Sequence, residues 1–265
     1  VPATVLLALL AGLGTGCTAG AGPADPGTAP APGAAPAPAA GAAAPAPAEH
    51  GAPAAGPVTA PDVAWQHDAP APGALASGYA AAVGPVGPEL AARMAPSWRP
   101  GCPVPLADLR YVTLTHHDFA GGTTTGELVV HADVADSVVA VFADLWELGY
   151  PIRSMRLVDD FGGSDDASMA ADNTSAFNCR PISRGTGWSE HAYGRAIDLN
   201  PVENPYVRGT LVLPPAGEAF AGRPEAPGVL RAGDAVVRAF AAHGWQWGGD
   251  WSSPVDYQHF STTGR

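Results

Sequence analysis

Two imidazoles and a carboxylate in this sequence have the types and spacing of a metal ligand set. His191 and Asp198 fall in Ser189-Glu190-His191-Ala192-Tyr193-Gly194-Arg195-Ala196-Ile197-Asp198-Leu199-Asn200, and His259 falls in Asp256-Tyr257-Gln258-His259-Phe260. Two histidines and one acid are a common shell for catalytic zinc, which takes three protein ligands and keeps a fourth position for water. The first stretch reads as a loop delivering His191, a turn at Gly194 and then a short strand. Alternation on that strand puts Ala196, Asp198 and Asn200 on one face, with Ile197 and Leu199 on the other in apolar packing. His259 would come from a second segment, with Phe260 turned inward beside it. Taken singly, each has a plainer reading: a strand histidine bonded to a backbone carbonyl, or a surface His/Asp pair.

The whole pattern, Ser-x-His-x-x-Gly-x-Ala-x-Asp followed by Asp-x-x-His-Phe, resembles the zinc-dependent D-alanyl-D-alanine carboxypeptidases, the VanY-like peptidases and their L-alanyl-D-glutamate endopeptidase relatives. The resemblance runs from about Pro100 to Phe260. It takes in Gly126-Glu127-Leu128-Val129-Val130-His131, Asn173-Thr174-Ser175-Ala176-Phe177-Asn178-Cys179-Arg180, Asn204-Pro205-Tyr206 and Gly244-Trp245-Gln246-Trp247-Gly248-Gly249. It implies an α+β fold, a small antiparallel sheet packed with helices, Hedgehog/DD-peptidase-like, following a disordered N-terminal linker. It implies Zn2+ on His191, Asp198 and His259, and a peptidoglycan stem peptide as substrate, cut at D-Ala-D-Ala or at an L-Ala-D-Glu-type bond.

Within that resemblance Asp256 is the expected general base, taking a proton from the attacking water and passing it to the leaving amine. It stands three residues before His259, so on a straight strand it would face the wrong way, and a turn or bulge at Tyr257-Gln258 is required. A basic side chain at the site's edge stabilises the oxyanion in the family. The family pattern puts that Arg earlier, where this chain has Asn178, so Arg180 is the candidate and an exposed charge is the alternative. Asn178, Ser189, Tyr193 and Trp247 are the expected substrate contacts, and Gly194 is expected to permit close backbone approach beside the metal. A non-catalytic, zinc-stabilised wall-binding module of the same fold is the rival, and a retained Asp256 argues against it. A serine or cysteine hydrolase fits less well, because Ser189 lacks a nucleophile turn.

Composition narrows the class. The 265 residues carry 25 acids against 13 basic residues, a net charge of −12, and every basic residue is Arg. Four acids and no Arg precede residue 73, which leaves −8 on the remainder. So acidic a domain is a poor match for nucleic acid, where phosphate neutralisation supplies most of the affinity, and its charge argues against adhesion to anionic lipid through a basic face.

The N-terminal run Val5–Leu13 is too short to span a bilayer, which takes ~20 residues. Cys17 follows it, so residues 1–17 resemble a lipoprotein signal with Cys17 lipidated; secretion by plain cleavage is the alternative. Residues 18–72 are almost all Ala, Pro and Gly and read as a disordered linker. Such a tether reaches ~170 Å as polyproline II or ~40 Å as a flexible coil. Residues 73–265 form the catalytic domain, expected to act as a monomer in the cell envelope, lipid-anchored or secreted. In an exported chain the remaining Cys102 and Cys179 are expected to form a disulfide. The chain-entropy model assigns such a loop ~4–5 kcal/mol at most. Metal binding by these cysteines is the rival, without a Cys-x-x-Cys spacing to support it.

Several elements are predicted around the site. Tyr111–Thr115 and Leu128–His131 read as strands, with His131 a structural hydrogen-bonder and His116-His117 in a loop or groove. Asp133 is expected to cap a helix over Ala135–Leu148 whose stripe is Val138, Val141, Phe142, Leu145 and Leu148, with Gly149 ending it. Ile152–Val158 reads as a strand, and Asp159-Asp160 and Asp165-Asp166 as parts of a solvated Gly/Ser-rich loop, with a substrate contact as the alternative. Ser175–Arg180 reads as a strand with Asn178 and Arg180 on one face and Phe177 and Cys179 turned inward. Asp234–Ala242 is a second helix burying Val236, Val237 and Phe240, closed by Gly244. Trp245, Trp247 and Trp251 surround Gly248-Gly249, part groove wall and part core.

Overall fold

A computed structural model of the protein describes residues 78–182 and 186–265. The signal segment with Cys17 and the linker to residue 72 lie outside the described residues. In chain order the strands are β1 (Ala81–Pro85), β2 (Leu109–His117), β3 (Thr123–His131), β4 (Ser154–Met155), β5 (Asn173–Thr174), β6 (Ala196–Asp198), β7 (Tyr206–Arg208), β8 (Leu211–Leu213), β9 (Gln246–Trp247), β10 (Val255–Asp256) and β11 (His259–Ser261). The α-helices are α1 (Pro88–Arg93), α2 (Ala135–Glu147), α3 (Asp165–Ala170) and α4 (Ala235–Ala242). Three antiparallel sheets, ordered β1-β2-β3, β6-β11-β9 and β10-β7-β8, stand beside a parallel β4-β5 pair. The fold is therefore α+β, divided among several small sheets where the sequence suggested one. Among the described residues no helix is long and apolar enough to cross a membrane.

The largest sheet forms because β2 alternates: Val112, Leu114 and His116 are buried while their neighbours are half-buried. That face receives α2, whose Ala135, Val138, Val141, Phe142 and Leu145 are buried at helical spacing. Leu148 is a correction to the predicted stripe, being 47% exposed. The helix ends at Glu147, and Gly149 in the left-handed region (φ 65°) turns the chain away. Asp133 does not cap this helix either. A 3-10 turn at Ala132–Val134 intervenes, and the Asp133 carboxylate pairs instead with His131 and Arg195.

His116 and His117 sit on β2, not in a loop. His117 stacks on Trp146 at 4.1 Å and bonds its backbone oxygen, so it is a packing residue. Ile152–Val158 is mostly not strand. The Asn173 side chain bonds Ser154 Oγ and both the N–H and the carbonyl of Arg156, replacing the ladder a longer strand would have made. Helix α4 is capped by Asp234, whose carboxylate accepts from Val237 N. It buries Val236, Ala239 and Phe240 and leaves Val237 half-buried. Phe240 stacks on Phe260 at 3.7 Å, which fixes β11 against the core.

Cys102 and Cys179 are joined by a disulfide. It ties the Pro-rich stretch before β2 to the segment running from β5 toward Arg180. That segment is held by single backbone bonds, Phe177 N to Val129 O and Asn178 N to His191 O, and is not a regular strand. Phe177 and Cys179 are buried as predicted, and Asn178 is buried with them.

Candidate metal centre

The site is built on the pairing of two strands. β11 runs antiparallel to β6 with His259 directly opposite Asp198, so the two side chains emerge as cross-strand neighbours on one face. Ile197 and Phe260, the next pair in register, point the other way into the core. His191 arrives from a 3-10 turn at Glu190–Tyr193. Ser189 caps that turn, its hydroxyl accepting from His191 N, and Gly194 ends it in the left-handed region (φ 66°). A Cβ on Gly194 would lie 2.6 Å from His131 N, and Gly194 O accepts that same N–H. The close approach that Gly194 permits is thus to β3, not to the metal position as the sequence suggested.

His191, Asp198 and His259 are 2, 4 and 6% exposed. Their facing atoms lie within 4.8 Å of one another. His191 Nε2 is 3.1 Å from Asp198 Oδ2, His259 Nδ1 is 3.0 Å from Asp198 Oδ1, and the two ring nitrogens are 3.3 Å apart. Behind them, His191 Nδ1 meets Ala176 O at 2.6 Å and His259 Nε2 meets Arg265 O at 2.7 Å. A main-chain oxygen only accepts, so each outer nitrogen carries a proton, and in the neutral rings each inner nitrogen presents a lone pair. Two lone pairs and a carboxylate converging in a buried pocket require a positive charge, from protons on the inner nitrogens or from a metal. The titration behaviour expresses the same demand. Burial alone would raise the Asp198 carboxyl, but the charge of His191 and hydrogen bonds from both rings hold it well below the usual range. Burial opposes the charged form of His259, yet Asp198 lifts that ring to about 9. Two imidazoles backed by main-chain oxygens, plus one carboxylate, form a donor set that fits zinc.

Asp256 ends β10, which pairs with β7, whereas β11 pairs with β6. The chain changes sheets across Tyr257-Gln258, and this is the turn the sequence reading required. Asp256 Oδ1 is enclosed and has no hydrogen-bond partner among the described residues. Burial first, and the Asp198 charge second, push the carboxyl up to about 7. Gly248 lies between Asp256 and His259: a Cβ there would sit 3.1 Å from Asp256 Cβ and 3.3 Å from His259 Cβ.

Arg180 is brought beside Ser189 by a backbone bond from Ser189 N to Arg180 O. Its Nη2 pairs with Asp165 Oδ2 at 2.7 Å, and its Nε has no partner among the described residues. Asp165 is a correction, since it opens α3 and does not lie in a solvated loop. Burial raises its carboxyl, and its further perturbers are Arg180, Asp198 and His191, the same groups that make the site. Asp159 and Asp160 are likewise engaged, with Ser97 and with Arg93 and Arg156. Asn178 is buried with Nδ2 unpartnered among the described residues. Tyr193 is half-buried against the second core cluster. Trp247 is 5% exposed and donates its indole N–H to Tyr257 O, which leaves little of it to wall a groove. Sequence reasoning preferred a solvated loop over a substrate contact for Asp165, and missed the packing of Gly248 and the two main-chain oxygens behind the rings. An acidic pair in a Gly/Ser-rich stretch and a bare backbone oxygen carry no pattern that would have marked them.

Residues 183–262 match the family model described as D-alanyl-D-alanine carboxypeptidase. The resemblance read from the motifs is shown over that stretch. It holds His191, Asp198, Asp256 and His259, while Asn178, Arg180 and both bridged cysteines lie before it. No curated protein and no solved structure matches the chain.

Proposed function

We propose that this chain is an extracytoplasmic zinc metallopeptidase that hydrolyses peptidoglycan stem peptides, at D-Ala-D-Ala or at an L-Ala-D-Glu-type bond, on a Hedgehog/DD-peptidase-like domain. The observation that carries the reading is the convergence of His191, Asp198 and His259 in a stretch that matches the carboxypeptidase family, with the Asp256 carboxylate, one oxygen of which has no hydrogen-bond partner among the described residues, nearby. Zinc, when bound there, supplies a Lewis acid for the scissile carbonyl and lowers the pKa of a water to about 7.

The remaining work falls to the chain. Asp256 accepts a proton from the attacking water and returns it to the leaving amine; a carboxyl raised to about 7 is suited to both transfers. Arg180 donates from its free Nε to the developing oxyanion while Asp165 holds its other end. Asn178 Nδ2, a buried donor without an acceptor, is satisfied by a substrate carbonyl. Ser189 and Tyr193 complete the substrate contacts. Lipidation at Cys17, or release by plain cleavage, delivers the domain to the wall on its Ala/Pro/Gly-rich tether.

Mass spectrometry of muropeptides digested by the purified chain tests the reading. Cleavage at one of the two bond types, lost in EDTA and restored by zinc, is expected. Digestion indifferent to chelation, or none with zinc present, contradicts it.

A further inference from the structure

The His259 ring can serve this site in only one orientation. Nδ1 must face Asp198 Oδ1 and the His191 ring, and rotating the imidazole by half a turn about its Cβ–Cγ bond would take that nitrogen out of the cradle. The sheet register fixes the His259 backbone but not the ring. The ring is fixed by whatever accepts from Nε2, and that acceptor is Arg265 O, six residues further along the chain.

Bringing residue 265 back to residue 259 takes three groups. Ser261 lies on β11 opposite Ala196 and is fully buried, so its hydroxyl is set by the sheet. Its Oγ accepts from both Gly264 N and Arg265 N, each at 3.0 Å, and closes a tight turn. Gly264 adopts φ 76° there, and a Cβ on it would lie 2.5 Å from Gln246 Oε1, so glycine suits the position on both counts. From the other side Trp251 donates its indole N–H to Gly264 O at 3.1 Å, with its ring 5.4 Å from the His259 ring. Their hydrogen bonds run to the turn and not to Asp198 or to either imidazole. Each hydrogen bond fixes the turn, and the turn ends on the outer nitrogen of a ligand.

We propose that Ser261, Gly264 and Trp251 are positioning residues: they hold the main-chain oxygen of Arg265 against His259 Nε2 and thereby select the nitrogen that binds the metal. This rests on the peptidase reading for the identity of the metal, and on the hydrogen bonds alone for the device. Outer partners of this kind fix the ring tautomer and raise ligand basicity, and their loss costs ~10–100-fold in metal affinity.

The test is the zinc dissociation constant of the full chain, measured by competition with a chromophoric chelator. It is measured for the wild type, Ser261→Ala, Trp251→Phe, the double variant and, as a control in the same turn, Thr263→Ala. The single variants should bind zinc more weakly, the double variant weakest by ~10–100-fold, and the control like wild type. Imidazole 15N NMR separates positioning from general loosening: the His259 Nε2–H signal should broaden in the variants while the His191 Nδ1–H signal stays sharp. Trp251→Phe keeps an aromatic ring while removing the indole donor and the second ring, so the NMR contrast between His259 and His191 decides the matter if Ser261→Ala folds poorly. Equal zinc affinity across the folded variants, or parallel loss of both imidazole signals, overturns the proposal and leaves the peptidase reading standing. A wild-type chain that takes up no zinc overturns both.

Discussion

An enclosed carboxylate oxygen without a donor resists ionisation, and Asp256 Oδ1 is such an atom beside a second acid, Asp198. A residue kept only for packing has no use for that arrangement, whereas a group that must take up and release a proton does. Asp256→Ala should therefore leave zinc content intact and lower turnover by ~10²–10⁴-fold, the usual contribution of a general base. Metal analysis alongside the muropeptide assay checks both halves, and an active variant removes Asp256 from the mechanism. At this scale the sequence was informative wherever a residue's chemistry is rare, as with the histidines of the two motifs. It was uninformative for Asp165, because an acid in a Gly/Ser-rich stretch looks the same whether it meets water or Arg180.

Register is what makes two strands into a site. A slip of one residue between β6 and β11 would turn His259 away from Asp198 and expose Phe260 to the cradle. The placement of His191 depends on Gly194, which both adopts a left-handed backbone and lies against His131 N. Gly194→Ala should cost at least ~1–2 kcal/mol for the backbone conformation alone. In a domain of this size that lowers the melting temperature by a few degrees, by roughly 2–4 °C per kcal/mol. Zinc affinity should fall with it, because the turn carrying His191 must move; thermal unfolding and chelator competition check the two effects, and an unchanged melting temperature would contradict the account of this turn. Period-two alternation made β6 legible, β-branched content the middle of β2, and helical spacing α2 and α4. The Ile152–Val158 stretch was not legible, since the bonds replacing its ladder come from Asn173, a partner about twenty residues away. The Asp133 cap failed for a related reason: its carboxylate is claimed by Arg195 and His131.

Across the whole domain the chain brings together pieces far apart in sequence. The Cys102–Cys179 bond anchors the segment that carries Asn178 and Arg180, and the Phe240–Phe260 stack seats the strand that carries His259. The His–Asp–His group and the resemblance to the carboxypeptidase family were readable from two short motifs, whereas the division into several small sheets was not, because strands of two or three residues outside those motifs are too short to show a period. The central claim is that these distant pieces close on one metal. Zinc K-edge X-ray absorption on the purified, zinc-loaded chain tests it most directly. The account predicts a nitrogen and oxygen shell with Zn–N near ~2.0–2.1 Å, with imidazole scattering that drops on His191→Ala or His259→Ala. A sulfur shell near ~2.3 Å, or a spectrum unchanged by those substitutions, would contradict it.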